Sequence, residues 1–295
     1  MDEEGNLRAL TTRTDLKKNR DFPLASKDSN GKLLVGAAIR ASYREACPIE
    51  HVEALVAEGC DILLLDTQNG DNALQIDLLR TIKKRFPHVD VVAGNVVRLN
   101  QAKALLEAGA DSLRIGMGVG SVATTQLVRA VGRAQLTAIY HCAKLAKEYD
   151  VPVMADGGIK NTGCLIKALS VGASSVMMGS LLAGVDESPG DYFFQDGIRL
   201  KHYRGMSAAT TLITSSSTVI SGVSGAVVDK GPLNRYFPYL AQSVRHGLQD
   251  MGIKSLDQLK EYLYEGKLRF ELRSASAQRE GGVHDLHSFQ QRLYA

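Results

Sequence analysis

Val151-Pro152-Val153-Met154-Ala155-Asp156-Gly157-Gly158-Ile159, followed by Ser174-Ser175-Val176-Met177-Met178-Gly179-Ser180, decides the fold. Each stretch is a short apolar run that ends on glycine. Parallel barrels place phosphate sites on the loops after their last two strands, at helix N-termini. Two consecutive strand tips with glycine match that placement. Working outward, similar Val/Ile/Leu-rich runs occupy residues 33–39, 62–66, 91–95 and 112–117. Helix-like stretches separate them, at 49–58, 74–86, 100–108, 133–149 and 163–171. Gly109 and Gly172 stand just past the last turn of two of these, where a helix commonly stops. The runs do not alternate strictly, which predicts strands buried on both faces in a parallel sheet covered by helices. Six strand-helix units are visible; a closed (β/α)8 barrel needs eight, and an open doubly wound sheet is built from as few as six. The glycine tips favour the barrel. The fold expected is therefore α/β, an incomplete TIM (β/α)8 barrel with about six of eight units.

The chain has 295 residues, of which 44% are hydrophobic and 23% charged. That excludes a disulfide-stapled mini-protein, a collagen and a chain disordered by composition. Thirty-five Lys and Arg against 32 Asp and Glu leave a formal charge of +3, which points to no nucleic-acid partner. Cys47, Cys60, Cys142 and Cys164 lie far apart with no CxxC pair, as in a reducing compartment. Residues 1–7 carry three acids and no apolar run, so they do not read as a signal peptide. No apolar run approaches the roughly 20 residues of a membrane span. The expectation is a cytoplasmic protein with no membrane contact. Residues 1–30 are polar and read as an extended linker. Residues 207–221 are rich in Ser and Thr, hold no charge, and read as a loop. Residues 238–251 and 255–264 read as amphipathic helices, and the tail at 270–295 has weak periodicity.

Several motifs are more specific than this. Gly94-Asn95-Val96-Val97, Leu113-Arg114-Ile115-Gly116-Met117-Gly118-Val119-Gly120-Ser121, Ala155-Asp156-Gly157-Gly158-Ile159, Met177-Met178-Gly179-Ser180 and Tyr203-Arg204-Gly205-Met206 occur in that order. With Val223-Ser224-Gly225-Ala226-Val227 and Ala277-Gln278-Arg279-Glu280-Gly281-Gly282-Val283-His284, they resemble the catalytic barrel of the IMP dehydrogenase / GMP reductase family. The likeness runs from about Leu10 to the C-terminus. The tail follows the eukaryotic dehydrogenase pattern more than the reductase one. The resemblance implies oxidation of IMP to XMP with NAD. A cysteine thiolate attacks C2 of the purine, hydride passes to the nicotinamide, and a flap Arg-Tyr pair activates water to release the product. It further implies a potassium ion at the cysteine loop, a tetramer, and a pair of CBS modules inserted after the second strand. In these terms residues 1–30 resemble the exit of a CBS module and residues 31–295 a partial barrel. The six strands match the family's third to eighth, so the first two would lie upstream of Met1.

Carried over residue by residue, the resemblance gives Asp156 the ribose hydroxyls of IMP. It gives Gly158, Gly179, Ser180, Ser121 and Tyr203 the 5′-phosphate, and Gly205 and Met206 the base. Asp66, Asn95, Arg114 and Gly116 would line the nicotinamide side. Backbone carbonyls of Gly118, Gly120 and Ala123, with Glu280, Gly281 and Gly282 of a neighbouring subunit, would hold potassium. Three departures stand out. Ala123 occupies the nucleophile position, and an alanine has no atom that can attack. Thr125 matches a supporting threonine and is no substitute. Residues 207–221 hold no arginine and no tyrosine. The string Asn234-Arg235-Tyr236-Phe237 imitates the flap pair but stands in the wrong place. Ser221 replaces a base-contacting glutamine, and Thr67-Gln68 replaces two serines after Asp66.

Three readings follow. The first is a degenerate relative without turnover that retains IMP binding. The second is an active NAD-dependent dehydrogenase. The third is a regulatory subunit that docks on a full-length paralogue, or a homo-oligomer.

Overall fold

The structure is a computed structural model, and it describes residues 4, 7, 10–23, 25–39, 48–205 and 223–288. Cys47, Met206, residues 207–221 and the last seven residues lie outside the described residues.

Six parallel strands form one sheet: β1 (Gly36–Ile39), β2 (Ile62–Asp66), β3 (Asp90–Val96), β4 (Ser112–Ile115), β5 (Val153–Asp156) and β6 (Ser175–Met177). Their spatial order is the chain order, β1-β2-β3-β4-β5-β6. A doubly wound sheet reverses direction at a switch point; this sheet never does. Among the described residues it is an incomplete (β/α)8 barrel with six of the eight strands, as the glycine tips suggest. Between the strands run α2 (Pro48–Ala57), α3 (Ala73–Arg85), α4 (Leu99–Glu107), α5 (Thr125–Arg129), α6 (Gln135–Lys147) and α7 (Thr162–Ser170). α3 starts where Asn72 caps the Gln75 N–H, and α7 where Asn161 caps that of Cys164.

Burial departs from the expectation of two covered faces. Leu63, Leu65, Leu113, Ile115, Val153 and Ala155 are buried in one core with Leu79, Ile82, Leu105 and Ile139 of the helices. The alternate residues of β2, β4 and β5 are only half-buried. Only β3, in the middle of the sheet, is buried nearly throughout. A closed barrel fills its interior with layers of side chains. Six strands leave that face partly open, and polar groups gather there.

Three elements were not foreseen. Residues 1–30 are not all extended: Arg13–Asp21 form a helix, α1, started by a Thr12–Asp15 capping box and burying none of its residues. An antiparallel sheet follows β6, built from β7 (Tyr192–Gln195), β8 (Ile198–Arg204) and β9 (Ser224–Val228). The β7–β8 turn is Asp196-Gly197, both at positive φ, the favoured chemistry of a two-residue hairpin. The late helices are α8 (Leu233–Asp250), α9 (Leu256–Tyr264) and a short α10 (Ala275–Glu280) in the tail. α8 begins five residues before the expected start at Pro238. Tyr236 and Leu240, both 2% exposed, anchor it to the core and carry the helix through the proline. The imitation flap string at 234–237 therefore sits in the first turns of a packed helix.

Lys201 in β8 is 1% exposed. Its ammonium donates to the carbonyls of Val185 (2.7 Å), Asp186 (3.3 Å) and Ser188, and lies 4.6 Å from the centre of the Tyr192 ring. The carbonyls and the ring face replace water around the charge. Lys201→Met keeps the stem but strands those carbonyls. We expect a loss of about 2 kcal/mol, read from the urea midpoint; an unchanged midpoint would show the cage to be dispensable.

Candidate functional site

The site is built at the carboxyl ends of β2 to β5. Asp66 is the last residue of β2 and Asp156 the last of β5; Asn95 and Arg114 lie in β3 and β4 between them. The register aligns Asp66 with Gly94 and Gly94 with Arg114, so adjacent strands deliver these side chains to one level. Arg114 bridges the two carboxylates, with Nη1 2.7 Å from Asp66 Oδ1 and Nη2 3.0 Å from Asp156 Oδ2. Asn95 Nδ2 donates to Asp156 Oδ2 and to the Gly116 carbonyl, both at 2.8 Å. Both contacts to Asp156 fall on Oδ2, so Oδ1 keeps its lone pairs for a ligand.

A cavity of about 800 Å³ opens over this cluster. Asp66, Asn95, Arg114, Gly116 and Asp156 line it together with the loop that holds Gly118, Gly120, Ala123 and Thr125. Three side-chain atoms here are buried with no hydrogen-bond partner: Asn95 Oδ1, Arg114 Nε and Gln135 Oε1. Buried polar atoms seldom stay unpaired.

The glycine turns converge on the same end. A Cβ at Gly158 would stand 3.7 Å from the Val119 carbonyl, so the turn after β5 abuts the 116–122 loop. A Cβ at Gly179 would stand 3.1 Å from Tyr203 Oη, which brings the β6 turn against that phenol. The Gly205 N–H donates to the Val223 carbonyl (3.4 Å), and the Val223 N–H to the Val122 carbonyl (3.1 Å). Gly205 thus lies beside Val122, the residue after Ser121. Ser180 is half-buried in the turn with Gly179. Of the eight residues expected around the nucleotide, only Met206 falls outside the described residues.

Three of the residues expected at potassium, Gly118, Gly120 and Ala123, lie in one loop of the cavity wall. The Gly118 carbonyl accepts from Gln126 Nε2 (2.8 Å), and the Gly120 carbonyl from the Ala123 N–H (3.1 Å). A carbonyl has two lone pairs, so this donor set still suits a hard cation. Glu280, Gly281 and Gly282 are exposed at the end of α10. Among the described residues no group of three His, Cys, Asp or Glu could hold a metal.

Ala123 puts a methyl group on the cavity wall, at the position that the resemblance gives to a cysteine. No described cysteine replaces it. Cys142 is buried in α6, and burial pushes its thiol up to about 11, so it stays protonated at neutral pH. Cys60 is half-buried at the other end of β2, and Cys164 lies in α7. Cys60, Cys142 and Cys164 are absent from the cavity wall.

Sequence reading missed some of the machinery. Gln135, the first residue of α6, donates to the carbonyls of Ile115 (2.9 Å) and Asp156 (2.9 Å), tying β4 to β5 beneath the site. Gln75 and Gln101 are buried helix residues that hold the loops after β2 and β3: Gln75 Nε2 donates to the Gly94 carbonyl (3.0 Å), and Gln101 Nε2 to Asn69 Oδ1 (2.7 Å). The signal was a polar residue on the apolar side of a helix. Thr67 and Gln68 are accommodated too. Thr67 Oγ1 lies 3.1 Å from the Gly94 carbonyl, and Gln68 Oε1 accepts from Arg129 Nη1 (2.9 Å).

Residues 5–284 match the model of the IMP dehydrogenase / GMP reductase domain. The whole chain aligns with proteins named inosine-5′-monophosphate dehydrogenase. It is 45% identical to that of Toxoplasma gondii and covers 65% of that protein. It is 46% identical to that of Caenorhabditis elegans, covering 57%, and 46% to that of Schizosaccharomyces pombe, covering 59%. The chain thus spans somewhat under two thirds of the length of these curated relatives. No described helix is long and apolar enough to cross a membrane.

Proposed function

We propose that this chain, which belongs to the IMP dehydrogenase / GMP reductase family, binds IMP or a related purine nucleotide and does not turn it over. The observation that carries the reading is Asp156 in the wall of the same cavity as Ala123, at the strand ends where the glycine turns of Gly158 and Gly179 also lie. Asp156 accepts both ribose hydroxyls through its free oxygen, as a carboxylate can. The turns at Gly158 and Gly179 offer backbone N–H groups to the 5′-phosphate, with the hydroxyls of Ser121, Ser180 and Tyr203 around it. Gly205 stands beside the base.

The donor set also fits the family's cofactor. Asp66 is a ribose acceptor held in place by Arg114, and Asp66, Asn95 and Arg114 line the same cavity. When bound, NAD would supply a hydride acceptor. With Ala123 there, no residue forms the covalent bond that precedes that transfer. Potassium would sit on the carbonyls of Gly118, Gly120 and Ala123. The exposed residues 280–282 of a second copy, or of a full-length paralogue, would complete its shell. Assembly is thus part of the same proposal.

Calorimetric titration with IMP in potassium buffer tests the reading. We expect saturable binding at one site per chain and no NADH on adding NAD. Asp156→Asn keeps the shape and removes the charge, and should weaken IMP about a hundredfold by loss of two charge-assisted hydrogen bonds. A folded chain that ignores IMP, or one that makes NADH steadily, would end the proposal.

A further inference from the structure

The amino end of the sheet repeats one local pattern, completed twice and left open once. Gly59, Gly109 and Gly172 each follow a helix at positive φ. The second residue after each is Asp61, Asp111 or Ser174, just ahead of β2, β4 or β6. In all three places the backbone N–H of that residue donates to the neighbouring strand: Asp61 to the Val35 carbonyl (2.9 Å), Asp111 to that of Val91 (3.0 Å) and Ser174 to that of Val153 (2.8 Å). The two aspartates return the bond through their side chains. Asp61 Oδ2 accepts from the Val35 N–H (2.8 Å) and Asp111 Oδ2 from the Val91 N–H (2.7 Å). Lys83 Nζ pairs with the same Asp111 oxygen at 2.7 Å. At the third place the carboxylate is missing. Ser174 Oγ accepts from Lys260 Nζ (3.0 Å) and not, among the described residues, from the Val153 N–H. A strand N–H and a lysine ammonium meet on a carboxylate at Asp111; here they flank a hydroxyl too short to take both.

This position opens on a cavity of about 400 Å³ between α6, α9 and the amino ends of β5 and β6, lined by Val153, Ser174 and Lys260 among others. Lys147 also lines it, its ammonium 4.2 Å from the centre of the Tyr264 ring. Asp150, Asp257 and Glu261 give the same walls three carboxylates. Among the described residues no ion pair engages any of these five charges, so both signs are left to a ligand. We infer that this cavity binds a small α-amino acid, whose carboxylate takes the place that Asp111 fills at β4. Its oxygens accept from the Val153 N–H, the Ser174 hydroxyl and the Lys260 ammonium, a charge-assisted set. A plain carboxylate would be repelled by the three carboxylates of a small cavity. An ammonium group on the same molecule turns that repulsion into attraction. The volume lies within the range of about 300–1,000 Å³ common for small-molecule pockets. The site stands at the opposite end of β5 from Asp156 and does not depend on the nucleotide reading.

The test titrates alanine, acetate and ethylammonium separately into the whole protein and follows the backbone amide signals of Val153 and Ser174 by NMR. We expect alanine to shift both signals saturably, with acetate and ethylammonium each weaker by about tenfold or more. Lys260→Met removes the ammonium from a half-buried position on α9 and should weaken alanine about tenfold. Ser174→Asp supplies the absent carboxylate from the chain itself. It should raise the urea midpoint, as the Val153 N–H and Lys260 gain their acceptor, and abolish alanine binding. Acetate that binds as tightly as alanine, alanine binding that Lys260→Met leaves intact, or a folded Ser174→Asp that still takes alanine would each overturn the site. If Ser174→Asp does not fold, the Lys260→Met titration decides alone. A chain that binds alanine here and ignores IMP would uphold this site and remove the nucleotide reading instead.

Discussion

Replacing Gly116 by alanine should cost about 4 kcal/mol of stability and abolish nucleotide binding with it. Gly116 follows the last residue of β4 at φ +148°, a conformation that side-chain-bearing residues rarely adopt. A Cβ built there would stand 1.9 Å from the Asp156 carbonyl oxygen and 3.0 Å from Gln135 Nε2. Nothing flexible can yield. The obstacle is the backbone of β5 at Asp156, whose carboxylate is the one proposed to hold ribose, and Gln135 pins that carbonyl from the other side. Relief requires the ends of β4 and β5 to separate, which also withdraws Asp156 from Arg114 and Asn95. Gly120→Ala is the matched control in the same loop. Its Cβ would meet only the Ala123 Cβ, at 3.6 Å, an ordinary contact, and should cost under about 1 kcal/mol. Urea unfolding of the two variants, followed by IMP calorimetry on whichever folds, decides it. Equal midpoints would mean that the close approach of the two strands is not a constraint on the fold.

The parts of this fold that the sequence announced are those with strong local periodicity. Six apolar runs separated by helical stretches became six parallel strands in chain order, with boundaries displaced by a few residues. The α1 helix and the β7–β9 sheet escaped because their signals are short. The Thr12–Asp15 capping box and the Asp196-Gly197 turn each occupy a few residues and carry no apolar period. Both were readable as turn and cap chemistry. The open inner face of the sheet was not readable from the apolar runs, which look alike whether one face or two is covered; it follows from counting six units where a barrel needs eight. At the site, the strand-end residues Asp66, Asn95, Arg114 and Asp156 were legible from resemblance and do meet. Gln135 and Arg129 were not. Each acts through a partner far along the chain: the Asp156 carbonyl for the first and the Gln68 amide for the second. Such partnerships exist only once the strands have brought distant segments to one end of the sheet.

Restoring the missing thiol by Ala123→Cys should yield at most about one NADH per chain and no sustained turnover. The position is sound. Residue 123 lines the cavity in the same loop as Thr125, and its N–H is bonded to the Gly120 carbonyl, so the loop is shaped without a cysteine to shape it. A thiolate there would reach a purine whose ribose is held by Asp156. Bond formation to C2 and departure of hydride to NAD require little more than that placement. Release is another matter. The covalent product leaves only when water attacks, and the family's activating pair is an arginine and a tyrosine that residues 207–221 do not contain. Residues acting as one catalytic unit fail together, with losses of about 10³-fold or more. Against common turnover numbers of about 1 to 10³ s⁻¹, steady-state NADH formation by the variant should fall below about 10⁻² s⁻¹. Rapid mixing at saturating IMP and NAD would show the single burst, and intact mass measurement the purine adduct on residue 123. Sustained turnover at about 1 s⁻¹ would place the entire loss of function on one side chain. A burst that stalls would locate it in two successive steps, attack and release, of which the alanine accounts for only the first.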